Sequence, residues 1–369
     1  MENTVIIGNG PAGLTAYLGL EDGNPLLVSP EVKPDPSVCG GVLTPPAISC
    51  FKRFDKLPSP LNGFSHEIKT VRVLHNRTTL AETSPDAQLL AFDRTKFDNW
   101  LFSQVKNQTT LRHKQGYVRS IESTPRGLTL QLRGGESIRT RGIIDASGHR
   151  GITGEDSAHH SNPLIGLEWS WGNDITPLNN KLLIILYKNG YCGITSNAGG
   201  DGTISAVIRK NPTRNQPIDL ARRRIIEQLP EFLSPLESKL TSNNPSTKAG
   251  FSRTHPRPVR RRMVAVGDAS GFTMPLSGEG IGMAVREGFE AGSYLSQVNT
   301  PWPLTKRNQQ QLHERLVIPY RRQIPRWWFT HWLGMNGHLL TLIPSQNELL
   351  TTLLNNLIPG SHQWKNGEM

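Results

Sequence analysis

Cysteine is scarce in this sequence: the 369 residues include three, Cys39, Cys50 and Cys192. No two of them form a CxxC pair, and none is spaced from a histidine as metal ligands usually are. The sequence therefore predicts neither a disulfide framework nor a metal site. A sparse, odd number of cysteines is typical of proteins in reducing compartments, so we expect a cytoplasmic protein.

Long apolar runs are also missing. No stretch of about 18 consecutive apolar residues occurs, so we expect no membrane-spanning helix. The opening residues, MENTVIIG, lack the basic region, the separate apolar core and the cleavage site of a signal peptide. We interpret them as the start of a first strand.

Acidic residues are outnumbered, with 30 Asp and Glu against 41 Lys and Arg, which gives a formal net charge of +11. Such an excess favours acidic partners, among them a phosphorylated cofactor, an anionic membrane face or an acidic protein. It is equally compatible with a role in solubility alone. We expect no nucleic-acid partner.

Glycines are concentrated after the first predicted strand, in NTVIIGNGPAGLTAYLGL. A strand, a GxGxxG turn and a helix in this order are typical of a dinucleotide-binding site. The first glycine permits the tight turn, the second lets the backbone approach a pyrophosphate, and the third lets the helix pack on the strand. The predicted cofactor-binding residues here are Gly8, Gly10, Pro11, Ala12 and Gly13.

An acid usually follows the second strand of such a site and binds the ribose hydroxyls. The second strand here reads NPLLVSPEVK, and Glu31 can serve if the strand ends one residue later than the ungapped spacing indicates. Otherwise Ser29 or backbone groups would bind the ribose.

The stretch AFDRTKFDNWLFSQV predicts a helix capped by Asp93, with Phe97, Leu101 and Val105 on one side. Arg94 falls in the first turn, where a cation opposes the helix dipole, so we expect it to serve a ligand. Further on, RGGE predicts a hairpin turn.

The buried strand GIIDASG follows this hairpin and ends in Asp145 and Gly148. Small residues at a strand end let the chain pass close to a bound nucleotide, so both are predicted to lie near one.

From residue 156 to residue 249 the pattern changes to alternating strands, which predicts an antiparallel sheet forming one wall of a pocket. ARRRIIEQLPEFLSPLESKL is predicted to be helical. Trp169 and Trp171 alternate, so both lie on one side of a strand, either in a core, in a pocket wall or against a substrate.

A second glycine-rich stretch, VGDASGFTMPLSGEG, follows another short strand and leads into IGMAVREG. Together with GNGPAG, CGGVLTPPA, DRTKFDNWL and IIDASG, it occurs in the order found in FAD enzymes. In these motifs the sequence resembles the geranylgeranyl-reductase-like group, which shares the wider fold of p-hydroxybenzoate hydroxylase and the flavin-dependent halogenases. The resemblance covers roughly residues 1–300.

The resemblance implies an α/β fold, with a Rossmann-like FAD-binding domain, an antiparallel-sheet substrate domain and a helical C-terminal segment. The expected boundaries are 1–155 with 250–300 for the discontinuous FAD-binding domain, 156–249 for the substrate domain and 301–369 for the C-terminal segment. Part of 45–90 is expected to contribute to the substrate side.

The resemblance also assigns the late motif to the flavin end of FAD. It implies that Asp268, after Gly267, binds the ribityl or ribose part. A helix starting near Gly280 and Ile281 would direct its positive end at the pyrimidine edge of the flavin. Pro275 and Gly278 would keep side chains away from the ring, so that substrate or oxygen can approach it.

The resemblance further brings Arg94 and Asp145 near FAD, and it implies that Cys39, Gly40 and Gly41 form a loop at the flavin face. A thiol there can act on substrate or simply pack. The predicted catalytic residues are Cys39, Pro275 and Gly278.

Halogenation is disfavoured by two departures from the halogenase pattern. The stretch GYCGITS stands where those enzymes carry a WxWxIP signature, and Ser277 stands where tryptophan halogenases carry a glutamate. Two redox reactions remain open. One is hydroxylation of an aromatic or large apolar substrate by O₂ through a C4a-hydroperoxyflavin, and the other is reduction of an isoprenoid or lipid double bond.

A non-catalytic flavin-binding protein is a third alternative. No second GxGxxG occurs, so NAD(P)H would bind transiently or a separate reductase would supply electrons. Some flavoproteins of this group oxidise a tryptophan within another protein during the biogenesis of quinone cofactors. An acidic precursor protein is therefore one candidate substrate.

The C-terminal segment combines basic residues with Trp and Leu, in RPVRRR and in PRWWFTHWLGMNGHLLTLIP. This mixture fits either an interfacial helix at a membrane or a surface for a partner. It also fits a helical cap that packs on the flavin domain.

Overall fold

The computed structural model describes residues 1–20, 23–30, 38–53, 65–85, 88–108, 110–148, 152, 164–172, 178, 180–196, 201–209, 217–249, 259–271, 275–298, 302–321 and 323–342. The strands are β1 (Glu2–Ile7), β2 (Leu26–Ser29), β3 (Val42–Leu43), β4 (Ser65–Ile68), β5 (Thr70–His75), β6 (Thr78–Thr83), β7 (Leu89–Phe92), β8 (Arg112–Gln115), β9 (Val118–Thr124), β10 (Gly127–Leu132), β11 (Ser137–Asp145), β12 (Leu164–Trp171), β13 (Lys181–Tyr187), β14 (Gly190–Ser196), β15 (Gly202–Arg209), β16 (Ser246–Ala249), β17 (Val259–Arg260) and β18 (Met263–Ala265).

The α-helices are α1 (Pro11–Gly19), α2 (Pro45–Arg53), α3 (Arg94–Gln108), α4 (Pro217–Gln228), α5 (Pro235–Ser242), α6 (Gly280–Gln297), α7 (Lys306–Arg321) and α8 (Ile324–Met335). Short 3₁₀ helices cover Glu231–Leu233, Gly267–Ala269, Pro275–Ser277 and Gly337–Leu342. No described helix has both the length and the apolar character needed to cross a membrane.

The first sheet contains the parallel strands of a nucleotide-binding fold, in the order β18-β11-β1-β2-β8. β1 lies at its centre, with Ile7 opposite both Asp145 of β11 and Val28 of β2. Its residues from Thr4 to Ile7 are buried because helices and further strands cover both faces of the sheet. β17, β10 and β9 extend the sheet in antiparallel pairings.

Helices α1 and α6 pack closely on each other beside this sheet. The contact needs small residues, because a Cβ at Gly288 would lie 2.1 Å from the carbonyl oxygen of Ala12. Tyr17, Val285 and Tyr294 belong to the same buried core as Leu316 of α7. Both helices begin at the same cavity.

The second sheet has the order β16-β12-β15-β14-β13-β5-β6. Its strands from β12 to β16 are antiparallel, as the alternating pattern predicts. β13 also pairs with β5 in parallel, which brings the N-terminal hairpin β5–β6 into the same sheet. A small third sheet has the order β3-β7-β4.

Each face of the second sheet has its own environment. Trp169 and Trp171 lie on the face covered by α4 and α5, where they are 2% and 5% exposed within a hydrophobic core. The indole nitrogen of Trp169 donates to the carbonyl oxygen of Asn243. Of the alternatives for this pair, core packing is the one observed, and the opposite face of the sheet is left for the cavity.

Most predicted local elements are confirmed, but the segment 221–240, predicted to be helical, is divided: α4 ends at Gln228, a 3₁₀ helix covers Glu231–Leu233, and α5 begins at Pro235. Asp93 caps α3 by accepting a hydrogen bond from the Lys96 amide at 2.9 Å, and Phe97, Leu101 and Val105 are buried. The RGGE stretch turns between β10 and β11 with two glycines at positive φ. The mixed α/β fold class is confirmed as well.

Candidate functional site

One cavity lies between the first sheet with its helices and the face of the second sheet that is opposite to α4 and α5. Its volume is about 260 Å³. Residues from both halves of the molecule line it, and they fall into three groups. The groups are the first turn of α1 with the loop after β11, the 38–42 loop with Arg94, and residues of 266–268 and 275–284 facing strands β12 to β16.

Two helices begin at this cavity without a side-chain cap. Gly10, which has no side chain, precedes α1. Glu279 precedes α6, and its side chain does not cap the helix. The carboxylate of Glu279 accepts a hydrogen bond from the Thr44 hydroxyl instead, at 3.0 Å. The first amides of a helix need acceptors and carry a partial positive charge. The cavity therefore offers anion-binding positions at two places.

Twelve of the residues predicted from the sequence line the cavity. They are Gly10, Pro11, Ala12, Cys39, Gly40, Arg94, Gly148, Asp268, Pro275, Gly278, Gly280 and Ile281. They come from five separated segments of the chain, and the fold brings them together. Their roles toward a cofactor remain predictions.

Five other predicted residues, Gly8, Gly13, Gly41, Asp145 and Gly267, are not among the described lining residues. Among them, Gly13 allows close backbone packing beside the cavity, because a Cβ at Gly13 would lie 1.9 Å from the carbonyl oxygen of Gly8. Glu31 lies outside the described residues.

The carboxylate of Asp145 is occupied by its own loop. It accepts hydrogen bonds from the amide and the hydroxyl of Ser147, and from the amide of Ile152. The residue is buried. Asp145 therefore shapes the end of β11, and its predicted contact with a cofactor would be indirect.

Arg94 is a fixed cation at one end of the cavity. Its Nε donates to Asp98 Oδ1 at 2.8 Å, one helical turn further along α3. Burial alone would lower the pKa of Arg94, but the Asp98 carboxylate and Cys39 together raise it above its usual range. The guanidinium therefore remains charged at the position where the sequence predicts a ligand-binding arginine.

Cys39 is held between the two halves of the site. Its amide donates to Glu168 Oε2 at 2.6 Å, and its carbonyl oxygen accepts from the Ser205 hydroxyl at 2.6 Å. Burial raises the pKa of its thiol, and the nearby Arg94 offsets this only in part. The thiol is therefore neutral at physiological pH, which favours packing or weak hydrogen bonding over nucleophilic attack.

Asp268 forms an ion pair across the cavity with Lys248 of β16. The distance from Lys248 Nζ to Asp268 Oδ2 is 2.7 Å, and both residues line the cavity. The Lys248 side chain is 9% exposed. The pair connects the second sheet directly to the late glycine-rich motif, and it keeps a carboxylate oriented at the cavity surface.

A buried glutamate supports the same motif from behind. Glu287 of α6 accepts a hydrogen bond from the amide of Gly267 at 2.7 Å, and Gly267 has a φ of +62°. Burial raises the pKa of Glu287 to about 8. Glu287 thereby stabilises the turn that presents Asp268.

The opposite wall of the cavity is apolar. Leu182, Ile184, Val207 and Leu276 contribute side chains to it, with Tyr191 beside them. Burial raises the pKa of Tyr191 well above its usual range, so its hydroxyl remains protonated. This wall can contact a flat or apolar molecule, and the hydroxyl oxygen of Tyr191 is itself buried.

Sequence reasoning missed Lys248, Glu168, Ser205, Tyr191 and Glu287. The first four lie on strands of the second sheet, where every second residue faces the cavity. The alternating pattern shows which residues share a face of the sheet but not which face borders the cavity. These four residues therefore carry no signal in the sequence. Glu287 has a signal in REGFEAG, since an acid among small residues of an apolar helix predicts a buried partner.

The site fits FAD by several independent features. A Cβ at Gly10, Gly40 or Gly148 would meet no atom within 4 Å, so the backbone there is open to a ligand. Two uncapped helix N-termini suit a pyrophosphate and an electron-rich ring edge. The Asp268 carboxylate can accept hydrogen bonds from hydroxyl groups between them.

No model of a known protein family matches the sequence, and no curated protein is similar to it. Solved structures share its fold. PqsL of Pseudomonas aeruginosa, in complex with 2-aminobenzoylacetate, is similar with a TM-score of 0.72 and 12% identity, over 90% of this chain and 96% of that chain. The flavin-dependent brominase Bmp2 is similar with a TM-score of 0.69 and 16% identity, over 96% and 92% of the two chains.

HpxO of Klebsiella pneumoniae, complexed with FAD and uric acid, is similar with a TM-score of 0.67 and 14% identity, over 96% of this chain and 92% of that chain. At these identities the comparison establishes the fold. The chain has the fold of the FAD-dependent monooxygenases.

Proposed function

We propose that the protein is an FAD-dependent monooxygenase that hydroxylates an aromatic or large apolar substrate. One observation carries the proposal: a single cavity borders two uncapped helix N-termini on one side and an apolar sheet face on the other. A flavin dinucleotide and a flat apolar substrate need these two kinds of surface side by side. The fold shared with HpxO, which is complexed with FAD and uric acid, supports the same conclusion.

The chain's own groups would hold FAD along the cavity. The first turn of α1, from Gly10 to Ala12, would bind the pyrophosphate, and Asp268 would accept hydrogen bonds from the ribityl or ribose hydroxyls. The N-terminus of α6 would stabilise negative charge at the pyrimidine edge of the flavin. When bound, FAD supplies the activation of oxygen.

The protein would contribute orientation, water exclusion and fixed charge. Leu182, Ile184 and Val207 would exclude water from the substrate face, and the ring of Tyr191 would extend this apolar wall. Arg94, fixed by Asp98, supplies a permanent positive charge. Cys39 would pack as a neutral thiol beside the substrate.

The finer form of the proposal concerns the substrate and its setting. A tryptophan side chain within an acidic precursor protein fits the aromatic-compatible wall and the net charge of +11. An apolar small molecule taken from a membrane surface fits the same wall. We propose a cytoplasmic protein that contacts a membrane peripherally, with NAD(P)H or a separate reductase as electron donor.

Reduction of an isoprenoid or lipid double bond is the second candidate. The observation that favours it is the Cys39 thiol, which lines the same cavity as the apolar wall. This reaction would consume no oxygen and would leave the substrate saturated, so its products differ from those of hydroxylation.

The test begins with purified protein and FAD. We expect a yellow protein that releases FAD on denaturation, and a colourless protein that cannot be reconstituted would overturn the proposal. NADH, NADPH and a chemical reductant are then compared under isotopically labelled oxygen with tryptophan-containing peptides and aromatic acids. Labelled oxygen in the product supports hydroxylation. A saturated, unlabelled lipid product supports the reductase, and bound FAD without turnover supports a non-catalytic role.

A further inference from the structure

One side of α8 exposes three large aromatic rings. Trp328 and Phe329 are each 41% exposed, and Trp332 is 53% exposed. The rings of Phe329 and Trp332 stack, with their centroids 6.3 Å apart. Single exposed apolar side chains are ordinary on protein surfaces, but a contiguous group of them marks a contact surface.

The exposed positions follow helical spacing. Trp332 lies four residues after Trp328 and three residues after Phe329. We call these three residues the α8 aromatic face. Thr330, His331 and Leu333, on the other side of α8, are buried.

The buried side of α8 covers the cavity. A Cβ at Gly334 would lie 2.4 Å from Leu276 Cδ2 and 3.0 Å from Tyr191 Cδ1, and both of these residues line the cavity. The His331 ring meets the Tyr191 ring edge to face, with centroids 6.4 Å apart. The α8 aromatic face is therefore separated from the cavity by the thickness of one helix.

Positive charge surrounds the α8 aromatic face in sequence. Residues 302–342 contain six Lys and Arg and a single acidic residue, Glu314. Lys306 and Arg307 are exposed on α7, which directly precedes α8. Arg315 of α7 is also exposed but pairs with Glu290 of α6 at 3.8 Å. A second copy of this chain would bring like charges together, whereas lipid phosphates would neutralise them. Trp and Phe beside basic residues are typical of helices that lie in a membrane interface.

We propose that the α8 aromatic face is a docking surface for an anionic lipid bilayer. Trp328, Phe329 and Trp332 insert among the headgroups, and the cations of α7 lie against the lipid phosphates. Docking in this way holds the cavity at the membrane surface, where a large apolar substrate is concentrated. This deepens the membrane contact of the proposed function by naming the surface and the lipid charge, and it can be tested separately because binding to lipid requires neither flavin nor turnover.

The full chain is sedimented with vesicles of phosphatidylcholine alone and of phosphatidylcholine mixed with phosphatidylglycerol. We expect binding to the anionic vesicles that weakens as salt is raised. The variant Trp328→Ser/Phe329→Ser/Trp332→Ser should lose at least about tenfold in vesicle affinity. Phe232→Ser is the matched control, since Phe232 is 55% exposed next to α4 and α5, and its binding should be unchanged.

Circular dichroism and thermal unfolding of both variants establish that they fold, which is expected because the substituted side chains are exposed. Equal vesicle binding by the triple variant and the wild type would overturn the proposal. So would a wild type that ignores anionic vesicles and instead dimerises, binds an acidic protein, or binds vesicles only after deletion of residues 343–369. A colourless protein that still binds vesicles would overturn the proposed function and support the docking surface.

Discussion

The two sides of the cavity are built by different means. On the nucleotide side, the backbone forms the surface and glycines make room for it, as at Gly10 and Gly13. On the sheet side, alternate side chains of ordinary strands form the surface, as with Tyr191 and Val207. A change on the first side should therefore disturb the fold or the cofactor, and a change on the second should disturb the substrate. The predictions below test this difference, from the largest expected effect to the smallest.

Gly13→Val tests the nucleotide side at its tightest contact. The Cβ would lie 1.9 Å from the carbonyl oxygen of Gly8, which is backbone and cannot move aside. We expect a loss of more than about 4 kcal/mol in the free energy of unfolding, measured by urea denaturation.

Gly10→Ala is the matched control for Gly13→Val, because its Cβ meets no atom within 4 Å. Its stability should change by less than about 1 kcal/mol, while FAD affinity falls because the methyl group occupies the cradle. Equal stability of the two variants would contradict the assigned backbone role.

Glu287→Gln tests the buried support of the late motif through its pH dependence. Glu287 has a pKa of about 8 in the folded protein, raised by burial from 4.5. The folded protein binds this proton more tightly, so the stability it contributes is full below pH 4.5 and is lost as pH rises toward 8. Arg286 favours ionisation and Asp268 opposes it.

The Gln variant stays neutral at every pH. Relative to the wild type, it should therefore gain about 1.4 kcal/mol per pH unit between pH 5 and pH 7.5. Urea denaturation at several pH values measures the difference, with Glu290→Gln on the same helix as the control. A difference that does not vary with pH would show that Glu287 titrates normally.

Asp268→Ala tests the side chain that faces the cavity from the late motif. Removing a carboxylate that accepts hydrogen bonds from hydroxyl groups should weaken FAD binding by about 2 kcal/mol, or about thirtyfold. Equilibrium dialysis with FAD measures this. Lys248→Met separates the ion pair from the direct role: if it weakens binding as much as Asp268→Ala does, orientation by Lys248 accounts for the whole effect. Unchanged FAD binding in Asp268→Ala would remove the assigned role.

Tyr191→Phe tests the sheet side and should have the smallest effect. The ring remains in place, so the free energy of unfolding should change by less than about 1 kcal/mol. Because the hydroxyl oxygen is buried, KM should change by less than about tenfold while FAD binding is unchanged. A loss of FAD binding in this variant would break the comparison between the two sides.

Those two sides also differ in how far the sequence predicts them. Gly8, Gly13 and the glycines of the late GDASG motif could be predicted because a positive φ or a close backbone contact excludes other residues there, whereas Gly10 leaves the backbone open to a ligand. Asp93 and the buried stripe of α3 followed from helical spacing. The fold class was predicted from the resemblance to FAD enzymes that these motifs carry in chain order.

The rest depends on contacts between distant segments. The parallel pairing of β13 with β5 joins residues more than a hundred positions apart, and no local pattern encodes it. The Lys248–Asp268 pair and the anchors of Cys39 form only after both sheets have met. Asp145 differs from these residues: it was predicted to lie near a nucleotide, but its carboxylate accepts hydrogen bonds from its own loop.

The two anchors of Cys39 have a practical consequence for chimeric proteins. Glu168 and Ser205 belong to the second sheet, yet they hold the backbone of a loop that belongs to the first half of the chain. A different substrate wall could be grafted onto this cofactor half only if residues 38–41 were transferred together with β12 and β15. Recombination breakpoints placed at the apparent boundary near residue 156 would separate these partners, even though every strand and helix remained intact.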